Sequence, residues 1–546
     1  SRLQLPPAAN ATSPQQLSDI NLQIQGLNLD GDVFKLKARF NYSDPALPEP
    51  MAVVLNTEAS IEQNTQAFTL SNTLLELLLT GKPAIEISLD SLAAGQLGTP
   101  HLQITGLQVN SADANLQASL SAQSINDSIT FESEINVPPL ALRKVLTSWA
   151  IELPALPDEQ ALQQASLKLS IKGSGDTLSI SRLKLTLDDI ALDGSTELDF
   201  GPTRNIALQL QSSTIDLNRY INSTDPSSTD KSDTADEAQT KANTEPTLIF
   251  APLVAPLLWV GDGNAALDIN LDGLKLDTIA AEKLQIKIKA ANNIVQIKQL
   301  AAHVFDGDIN ATATINLQHK EPTVNFTTVI SELAVDKALL ATSGEATLTG
   351  KLTANLQGQT GGNNAEQLHQ SLKANGEINL VKPYLTTFNV EKSYCDIAAL
   401  IEKIPSKSDW PEGSNLNDVQ ASISLKGKQV FIERYITGLG NIGLSGKGVI
   451  DLGTERFDLL AISRLNGDRT SEQGCLVKSK RVRDKDIPIR CKDSFANAGG
   501  GSCKPDGDFV KQVLQDKLLE KLQPKNNRSE ESEEALKGLL KGLFGR

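Results

Sequence analysis

The cysteines are the residues of this 546-residue chain whose type and grouping best suit covalent chemistry. None of the four has the CxxC spacing of a zinc site, and no histidine lies in the stretch that contains them. An even number in one region favours disulfides and an oxidising compartment. A hairpin pairing Cys475 with Cys491 and a bridge from Cys491 to Cys503 both fit the spacing, and the sequence does not choose among the three connectivities. The disulfide candidates are Cys395, Cys475, Cys491 and Cys503.

Two further motifs resemble cofactor or catalytic sites but lack the context that the chemistry requires. Residues 438–443 read GLGNIG, yet a dinucleotide-binding GxGxxG loop must open a helix, and LSGKGVIDL continues here as a strand, so a turn between strands is the better interpretation. Asp188 and Asp189 are adjacent, so in a strand they point to opposite faces and form a poor acid and base pair. No GxSxG, HExxH or EF-hand motif occurs. We therefore predict no enzymatic activity, no catalytic or metal site and no cofactor.

Residues 263–333 contain the pattern that organises the rest of the sequence, because apolar and polar residues alternate in five consecutive segments. In one of these segments Leu284, Ile286 and Ile288 alternate with Gln and Lys residues. A period of two predicts antiparallel strands with one apolar and one solvated face. The same alternation recurs from Asp19 onward, so the fold class is mainly β.

Turn residues separate the segments at short intervals, which predicts that consecutive strands pair as neighbours in a meander. The predicted turns lie at Asp272, Asn292, Asp306 and Lys320. Little sequence between the strands can form helices long enough to cover the apolar face, and a sheet must bury that face against something. A second sheet, the curling of the same sheet and an apolar ligand are the three alternatives.

Composition restricts the partner that such a face can contact. The formal net charge is -15 and the sequence pI is about 4.9, which argues against a nucleic acid partner. Aromatic residues are only 4% of the chain, so stacking platforms for bases or sugars are not expected. The apolar face therefore contacts its partner through aliphatic carbon.

The pattern divides the chain into five regions, of which three consist mainly of alternating strands. A segment rich in Ser, Thr and Asp has no aliphatic residue larger than Ala, which predicts a disordered linker. Amphipathic segments end the chain, and they fit a membrane surface, a partner or the open end of the sheet. The regions are a first β-groove segment at 1–221 with a short helix near 139–150, the acidic linker at 222–246, a second groove segment at 247–393, a C-terminal β segment with the cysteines at 394–507 and the helical tail at 508–546.

The longest apolar window, LIFAPLVAPLLWV at 248–260, is shorter than a membrane span, which needs about 20 residues, and it contains two prolines. It is predicted to form a short buried helix. No hydrophobic targeting signal is visible at Ser1.

Several segments, taken in their order along the chain, resemble the periplasmic part of the AsmA family of diderm bacterial envelope proteins over residues 17–506. Each segment alone shares its pattern with any Leu-rich meander, and the order carries the resemblance. The segments are LSDINLQIQGLNLDGDVFKLKARF, LDDIALDGSTELDF, TIDLNRYI, LDINLDGLKLDTIAAEKLQIKIKA, LAAHVFDGDINATATINL, TGLGNIGLSGKGVIDLGTERFDLL and IPIRC.

The resemblance implies an elongated, curled antiparallel meander that forms an apolar groove, of the bridge-like lipid transfer protein type, with a few short helices. It also implies a periplasmic protein that an N-terminal helix anchors in the inner membrane and that moves phospholipid toward the outer membrane. This sequence lacks that anchor and the first groove segment, which precede the LSDINL stretch in relatives. The resemblance therefore predicts a truncated form.

We expect a passive phospholipid conduit between the inner and outer membranes, with phospholipid, the inner membrane and envelope proteins as partners. The alternative is a structural or assembly factor for outer-membrane proteins. A closed β-sandwich is a weaker alternative, because large aromatic core residues are scarce. The candidate groove-lining residues are Leu167, Leu169, Ile171, Leu267, Ile269, Leu271, Leu284, Ile286, Ile288, Ile315, Leu317, Leu348, Leu352, Ile423 and Leu425.

Overall fold

A computed structural model gives the arrangement of most of the chain. The described residues are 2–5, 15–44, 49–95, 100–125, 128–153, 155–221, 263–402, 405, 409–478, 482–483, 485–497 and 501–507. The predicted linker at 222–246, the apolar window at 248–260 and the helical tail at 508–546 lie outside them. The domain boundaries proposed from the sequence stay predictions.

The described part of the chain is mostly β, and its strands form one open mixed sheet of 28 strands accompanied by four short α-helices. The mainly β fold class is confirmed. The chain divides into two compact units, each described here by itself. Unit 1 comprises Ser1–Gly344 and Thr353–Ala374, and unit 2 comprises Glu345–Leu352 and Asn375–Arg546.

Fourteen strands precede the undescribed stretch at 222–262. They are β1 (Arg2–Leu5), β2 (Gln15–Gln25), β3 (Asp30–Ser43), β4 (Met51–Glu62), β5 (Ala67–Leu78), β6 (Ile85–Gly95), β7 (His101–Ser111), β8 (Ala114–Ile125), β9 (Ser128–Leu140), β10 (Ala165–Ser174), β11 (Thr177–Leu187), β12 (Ile190–Asp199), β13 (Asn205–Ser212) and β14 (Ile215–Asp216).

Fourteen more strands follow it. They are β15 (Asn264–Leu276), β16 (Ile279–Ala291), β17 (Ile294–Val304), β18 (Gly307–Asn316), β19 (Thr323–Ala334), β20 (Leu348–Gly361), β21 (Lys373–Leu385), β22 (Ser414–Asn415), β23 (Val419–Lys426), β24 (Gln429–Leu439), β25 (Ile442–Asp451), β26 (Arg456–Leu465), β27 (Asp486–Ser494) and β28 (Cys503–Pro505).

Each strand pairs antiparallel with its predecessor over β1–β13, β15–β19 and β23–β28, as the meander prediction requires. The prediction is wrong at one place, because β15 lies parallel to β13, with Asn205 opposite Asn264. Parallel neighbours need a long connection that returns the chain to the opposite end of the sheet. The stretch between Ile221 and Gly263 supplies that length, whereas a tight turn cannot.

Two-residue turns form at two of the predicted sites, and the site at Lys320 lies in the longer connection between β18 and β19. Asn292 and Asn293 both have positive φ, as does Asp306, which suits two-residue hairpins. Asp272 is different, since β15 runs through it without a turn. A Cβ on the following residue, Gly273, would lie 2.9 Å from the Thr214 Oγ1 atom and 3.2 Å from the Ala281 carbonyl oxygen. The glycine therefore permits the close approach of neighbouring backbone instead of a reversal.

Bulges interrupt many of the antiparallel pairings inside unit 1. Asp19, Asn72 and Lys283 have positive φ within strands, at positions where the register shifts. An extra residue on one strand bends that strand and increases its twist. The sheet of unit 1 is therefore bent along its length and is not flat.

The four helices are α1 (Leu142–Ser148), α2 (Val335–Ser343), α3 (Ala365–Ser371) and α4 (Val390–Glu402). Helix α1 begins after Pro138 and Pro139, which lie in strand β9. No residue of α1, α2 or α3 is buried, so these helices add no covering layer. Helix α4, in unit 2, buries one side.

Candidate functional site

The alternation of exposure in β16 shows the two faces of the sheet. Leu284 and Ile286 are half-buried and Ile288 is 7% exposed, whereas the Gln and Lys side chains between them are exposed. The period-two pattern of the sequence therefore corresponds to one apolar and one solvated face. We call the side that carries Ile288 the apolar face of unit 1.

Six of the candidate residues form three directly opposed pairs across β15 and β16. Residues that oppose each other in a ladder point to the same face and contact each other. The pairs are Leu267 with Ile288, Ile269 with Ile286 and Leu271 with Leu284. Three more candidates, on β10, oppose apolar residues of β11 in the same way: Leu167 with Leu185, Leu169 with Leu183 and Ile171 with Ile180.

An unbroken row of directly opposed residues joins these two groups and crosses sixteen strands of unit 1, from β3 to β19. Ser133 and Thr196 are its polar members, and no member is exposed. At about 4.8 Å per strand the row follows the sheet for about 70 Å. We call it the apolar row, and its members are Phe34, Ala59, Leu70, Leu92, Ile104, Leu120, Ser133, Ile171, Ile180, Thr196, Leu208, Leu267, Ile288, Ile297, Ala313 and Phe326.

The buried cluster of this face consists of side chains of the sheet itself. Its buried members are Ala265, Ile288, Val295, Ile315 and Val324, one from each of five successive strands. The half-buried side chains around them also come from strands, apart from the candidate Leu317, which follows β18 directly. Among the described residues, no helix and no second sheet contributes to the cluster.

Parts of the face lie open or carry polar groups. Leu185 and Leu300, on the same face, are each 37% exposed. Thr57 and Thr73 are buried and share a hydrogen bond of 2.6 Å between their hydroxyls. The Ser212 hydroxyl is buried without a hydrogen-bond partner among the described residues. The choice of candidates by aliphatic type missed these hydroxyl groups, and nothing in the alternation distinguishes them.

The candidates in unit 2 also lie on an apolar face. Ile423 opposes Ile432 and Leu425 opposes Val430. The two remaining candidates, Leu348 and Leu352, are half-buried on β20. They flank Gly350 at a spacing of two residues, so side chains at these three positions point to the same face. A Cβ on Gly350 would lie 3.0 Å from the Leu380 Cδ1 atom, which places Leu380 on that face as well.

In unit 2, protein covers part of that face. Tyr394, Ile397 and Ala398 of α4 pack against strands β25 to β27, together with Val477 and Val482 from the connection between β26 and β27. Tyr394, Val477 and Val482 are each 0% exposed. This arrangement is an ordinary core, with one layer on another. The sheet residues of the core are Ile442, Leu444, Leu465, Ile487 and Ile489.

Two disulfides hold unit 2. One joins Cys395 of α4 to Cys475 of the β26–β27 connection, and the other joins Cys491 to Cys503, which oppose each other on β27 and β28. The prediction of disulfides is confirmed, and so is the Cys491–Cys503 alternative. The Cys475–Cys491 hairpin is wrong, because the connection folds back onto α4 and carries Cys475 to the helix.

Comparison with known proteins identifies the family. The AsmA family model matches residues 10–426, which includes the whole apolar row and every candidate groove residue. The chain belongs to the AsmA family. No curated protein and no solved structure matches it significantly. The family match ends before β24, so the β26–β27 connection and three of the four cysteines lie beyond it.

The two aspartates weighed as an acid and base pair take a structural role in this AsmA-family chain. Arg219 lies at the end of the described residues before the 222–262 stretch, and its guanidinium binds the carboxylates of Asp158, at 2.7 Å, and Asp189. Asp188 lies 3.9 Å away. We call this group the Arg219 cluster, and it ties the β11–β12 turn to the chain on either side of β10–β13.

Hydrogen bonds set the ionisation of the Arg219 cluster. The Arg219 guanidinium holds the pKa of the Asp158 carboxyl below its usual range. Burial raises the pKa of Asp188, but hydrogen bonds from backbone N–H groups and from the Tyr220 hydroxyl outweigh it and lower that pKa overall. Burial, followed by donation to Asp188, raises the pKa of Tyr220 to about 12. Asp188 therefore stays ionised at neutral pH.

Other features of the described AsmA-family chain give no second candidate groove. A depression of about 830 Å³ is lined by as many apolar as polar residues and by no groove candidate, and one of about 500 Å³ is lined mainly by polar residues and by the single groove candidate Ile171. In the described ranges no three His, Cys, Asp or Glu side chains are grouped to hold a metal ion. No described helix is long and apolar enough to cross a bilayer. The GLGNIG segment forms the turn between β24 and β25, as predicted, with Gly440 at positive φ.

Proposed function

We propose that this AsmA-family protein is a passive conduit for phospholipid between the inner and outer membranes. The acyl chains lie along the apolar face of unit 1, and the polar headgroup stays in water at its edge. The observation that carries the proposal is the apolar row, which crosses sixteen strands with two polar members. Among the described residues, no helix and no second sheet enters the buried cluster around its member Ile288.

The energy of transfer supports this use of the face. Burying a CH₂ group gains about 0.8 kcal/mol, so moving a chain of about 16 carbons bare through water costs on the order of 13 kcal/mol. A continuous aliphatic surface removes most of that cost at every step. Because successive positions on such a surface are similar, a chain can move between them without a large barrier.

The proposal includes a location and partners. Family membership is consistent with the bacterial envelope, and we place the protein in the periplasm, anchored at the inner membrane. Phospholipid is the cargo. No catalytic step and no cofactor are required, because the flow follows the concentration difference between the two membranes.

The test places a charge in the proposed path. Ile288→Asp puts a carboxylate among aliphatic side chains, whereas Lys289→Asp puts the same group one residue away on the solvated face. The expected result is loss of bound phospholipid in native mass spectrometry and loss of complementation for Ile288→Asp, with both retained for Lys289→Asp. Circular dichroism reports whether each variant is folded.

A second substitution guards against a folding defect, because Ile288 is buried in the cluster. Leu300→Asp changes a side chain that opposes Ile286 on the same face but is already 37% exposed. It should also abolish lipid binding while the protein stays folded. Undiminished lipid in folded Leu300→Asp protein refutes the conduit. An empty wild-type protein that co-purifies with outer-membrane assembly factors supports the assembly alternative instead.

A further inference from the structure

The depression of about 830 Å³ lies on the solvated face of unit 1, over the parallel pair of β13 and β15 and the strands on either side of it. A row of directly opposed residues crosses it, one from each of six strands. Each of these residues is the sequence neighbour of a member of the apolar row, so its side chain points to the opposite face. The row consists of Ser179, Glu197, Ala207, Ala266, Lys289 and Gln296.

The hollow arises from the sizes of these side chains. Ala207 and Ala266 oppose each other at the parallel junction, and both are exposed. Longer side chains stand on the two neighbouring strands, where Glu197 opposes Ala207 and Lys289 opposes Ala266. Two methyl groups therefore form the floor, and a carboxylate and an ammonium group form opposite walls. We call this site the alanine-floored depression.

The charges of the two walls are left unpaired by this arrangement. Elsewhere on the same strands opposite charges face each other directly, as Lys287 and Asp268 do at 3.6 Å. Glu197 and Lys289 each face an alanine instead, and neither forms an ion pair among the described residues. Three strand spacings of about 4.8 Å place their backbones about 14 Å apart. A ligand that carries one charge of each sign can bind both walls.

An ordered group of polar side chains makes one side of the depression more acidic. The Asn264 Nδ2 atom donates to the Asn205 Oδ1 atom at 2.9 Å, and the Asn205 Nδ2 atom donates to the Asp199 carboxylate at 3.3 Å. Asp199 also accepts from the Gly201 N–H at 2.9 Å, which fixes this carboxylate beside the wall of Glu197. The wall on β12 is therefore negative and the wall on β16 is positive.

We propose that the alanine-floored depression binds short peptides of about three residues with free termini. The peptide ammonium group lies at Glu197 and Asp199, and its carboxylate lies at Lys289. An extended tripeptide spans about 10 Å, which bridges the walls once the two side chains lean inward. The shallow floor accepts small side chains, and the amides of Asn264 and Gln296 can bind the peptide backbone.

The same charges distinguish a peptide from a phospholipid headgroup. The ammonium and phosphate groups of ethanolamine phosphate are separated by only two carbons, which is too short to reach from β12 to β16. The proposal goes beyond lipid carriage and does not rest on it, because the depression lies on the face opposite to the apolar row. Failure of peptide binding therefore leaves the conduit untouched.

The experiment is an NMR titration of the purified chain with trialanine, N-acetyl-trialanine, trialanine amide and glycerophosphoethanolamine. Trialanine should bind with a dissociation constant on the order of 1 mM. Blocking either terminus should weaken binding roughly fivefold, and added salt should weaken it as well. Equal binding of free and blocked peptides overturns the proposal, as does the absence of saturable binding. Tighter binding of glycerophosphoethanolamine overturns the assignment to peptides and indicates a lipid headgroup.

Charge variants test the orientation of the bound peptide. Glu197→Gln should weaken trialanine binding roughly fivefold but should not further weaken that of the N-acetylated peptide. Lys289→Gln should act in the same way on trialanine and spare the amide. The matched control is Lys298→Gln, which changes an exposed lysine of β17 outside the depression and should have no effect. Equal effects of Lys289→Gln and Lys298→Gln contradict the proposed site.

Filling the floor tests the location independently of charge. Ala266 is exposed, so Ala266→Leu should fold, and its side chain should reduce trialanine binding at least tenfold. Ala280→Leu enlarges another exposed alanine, on β16 and outside the depression, and should leave binding unchanged. Circular dichroism reports whether both variants are folded. Full binding by folded Ala266→Leu protein overturns the proposal.

Discussion

The apolar face of unit 1 and the core of unit 2 are built from the same kind of strand but differ in what covers the apolar side of the sheet. Around Ile288, the buried cluster consists of sheet side chains alone. Around Leu465, a helix and a long connection close over the sheet. The comparison teaches that an alternating strand pattern does not decide whether its apolar side becomes a core or a binding surface. The connections between strands decide it.

The connections differ in length and in apolar content. In unit 1 most described connections are short, and helices α1 and α2 bury no side chain. The long connection between β9 and β10 buries Ala161, but it contributes no large apolar side chain to a core. In unit 2, α4 places Tyr394 and Ile397 on the sheet, and the β26–β27 connection adds Val477 and Val482. A disulfide ties these two covering pieces to each other. Covering the sheet of unit 2 thus depends on a covalent link that unit 1 lacks.

The largest effect should come from removing that link. Cys395→Ser with Cys475→Ser opens a loop whose cysteines are 80 residues apart. Chain entropy then lowers the unfolding free energy of unit 2 by roughly 4 to 5 kcal/mol. Hydrogen exchange of α4 and β26 amides, followed by mass spectrometry, measures the loss.

Two comparisons control this prediction. Cys491→Ser with Cys503→Ser opens a loop of 12 residues, and its expected cost is smaller, about 3 kcal/mol. Amides of β15 and β16 in unit 1 should exchange as in the wild type, since unit 1 contains no cysteine. Faster exchange throughout unit 1 in the first variant contradicts the idea that the link serves unit 2 alone.

Matched leucine truncations compare the two regions directly. Leu465 is 0% exposed beneath the cover of unit 2, and Leu465→Ala should lower the unfolding free energy by about 3 to 5 kcal/mol. Leu267 is a half-buried member of the apolar row, and Leu267→Ala should cost about 1 to 2 kcal/mol, since less of its surface leaves water on folding. Urea unfolding with local hydrogen exchange measures both. Equal costs at the two sites imply that protein also covers the apolar row.

The alternation of residues such as Leu284, Ile286 and Ile288 was sufficient to predict the strands, their faces and the groups of candidates that oppose one another. It was not sufficient to predict the parallel pair of β13 and β15, because that pairing depends on where the chain returns after Ile221. Gly273 looked like a turn residue, since the need for backbone clearance at Thr214 arises only after strands are placed.

The sequence was also not sufficient to predict that α4 and the β26–β27 connection pack on the sheet of unit 2. The sequence pattern around Cys395 does not say on which surface α4 packs. The pairing of Cys395 with Cys475 follows from that packing, which brings together residues 80 positions apart. Local spacing instead drew attention to the nearer cysteines.

The smallest effect concerns two tyrosines whose pKa is raised to about 12 in the two units for different reasons. Burial alone raises the pKa of Tyr435 in unit 2, whereas Tyr220 in unit 1 also donates a hydrogen bond to Asp188. Tyr220→Phe should therefore destabilise unit 1 by about 1 kcal/mol at pH 7, and Tyr435→Phe should change unit 2 by much less. Urea unfolding at neutral pH measures the difference.

The dependence on pH distinguishes the hydrogen bond from packing. A phenol whose pKa is higher in the folded than in the unfolded state contributes stability that is fully present below pH 10, and that contribution is lost as the pH rises toward 12. The stability gap between wild type and Tyr220→Phe should therefore close over that interval, and the ultraviolet absorbance of phenolate should show Tyr220 ionising there. A gap that persists at pH 12 means that the Tyr220 oxygen stabilises unit 1 by some contact other than the proton that it donates to Asp188. The hydrogen bond between Tyr220 and Asp188 would then contribute little to holding the Arg219 cluster, in contrast to the part that buried packing takes around Leu465.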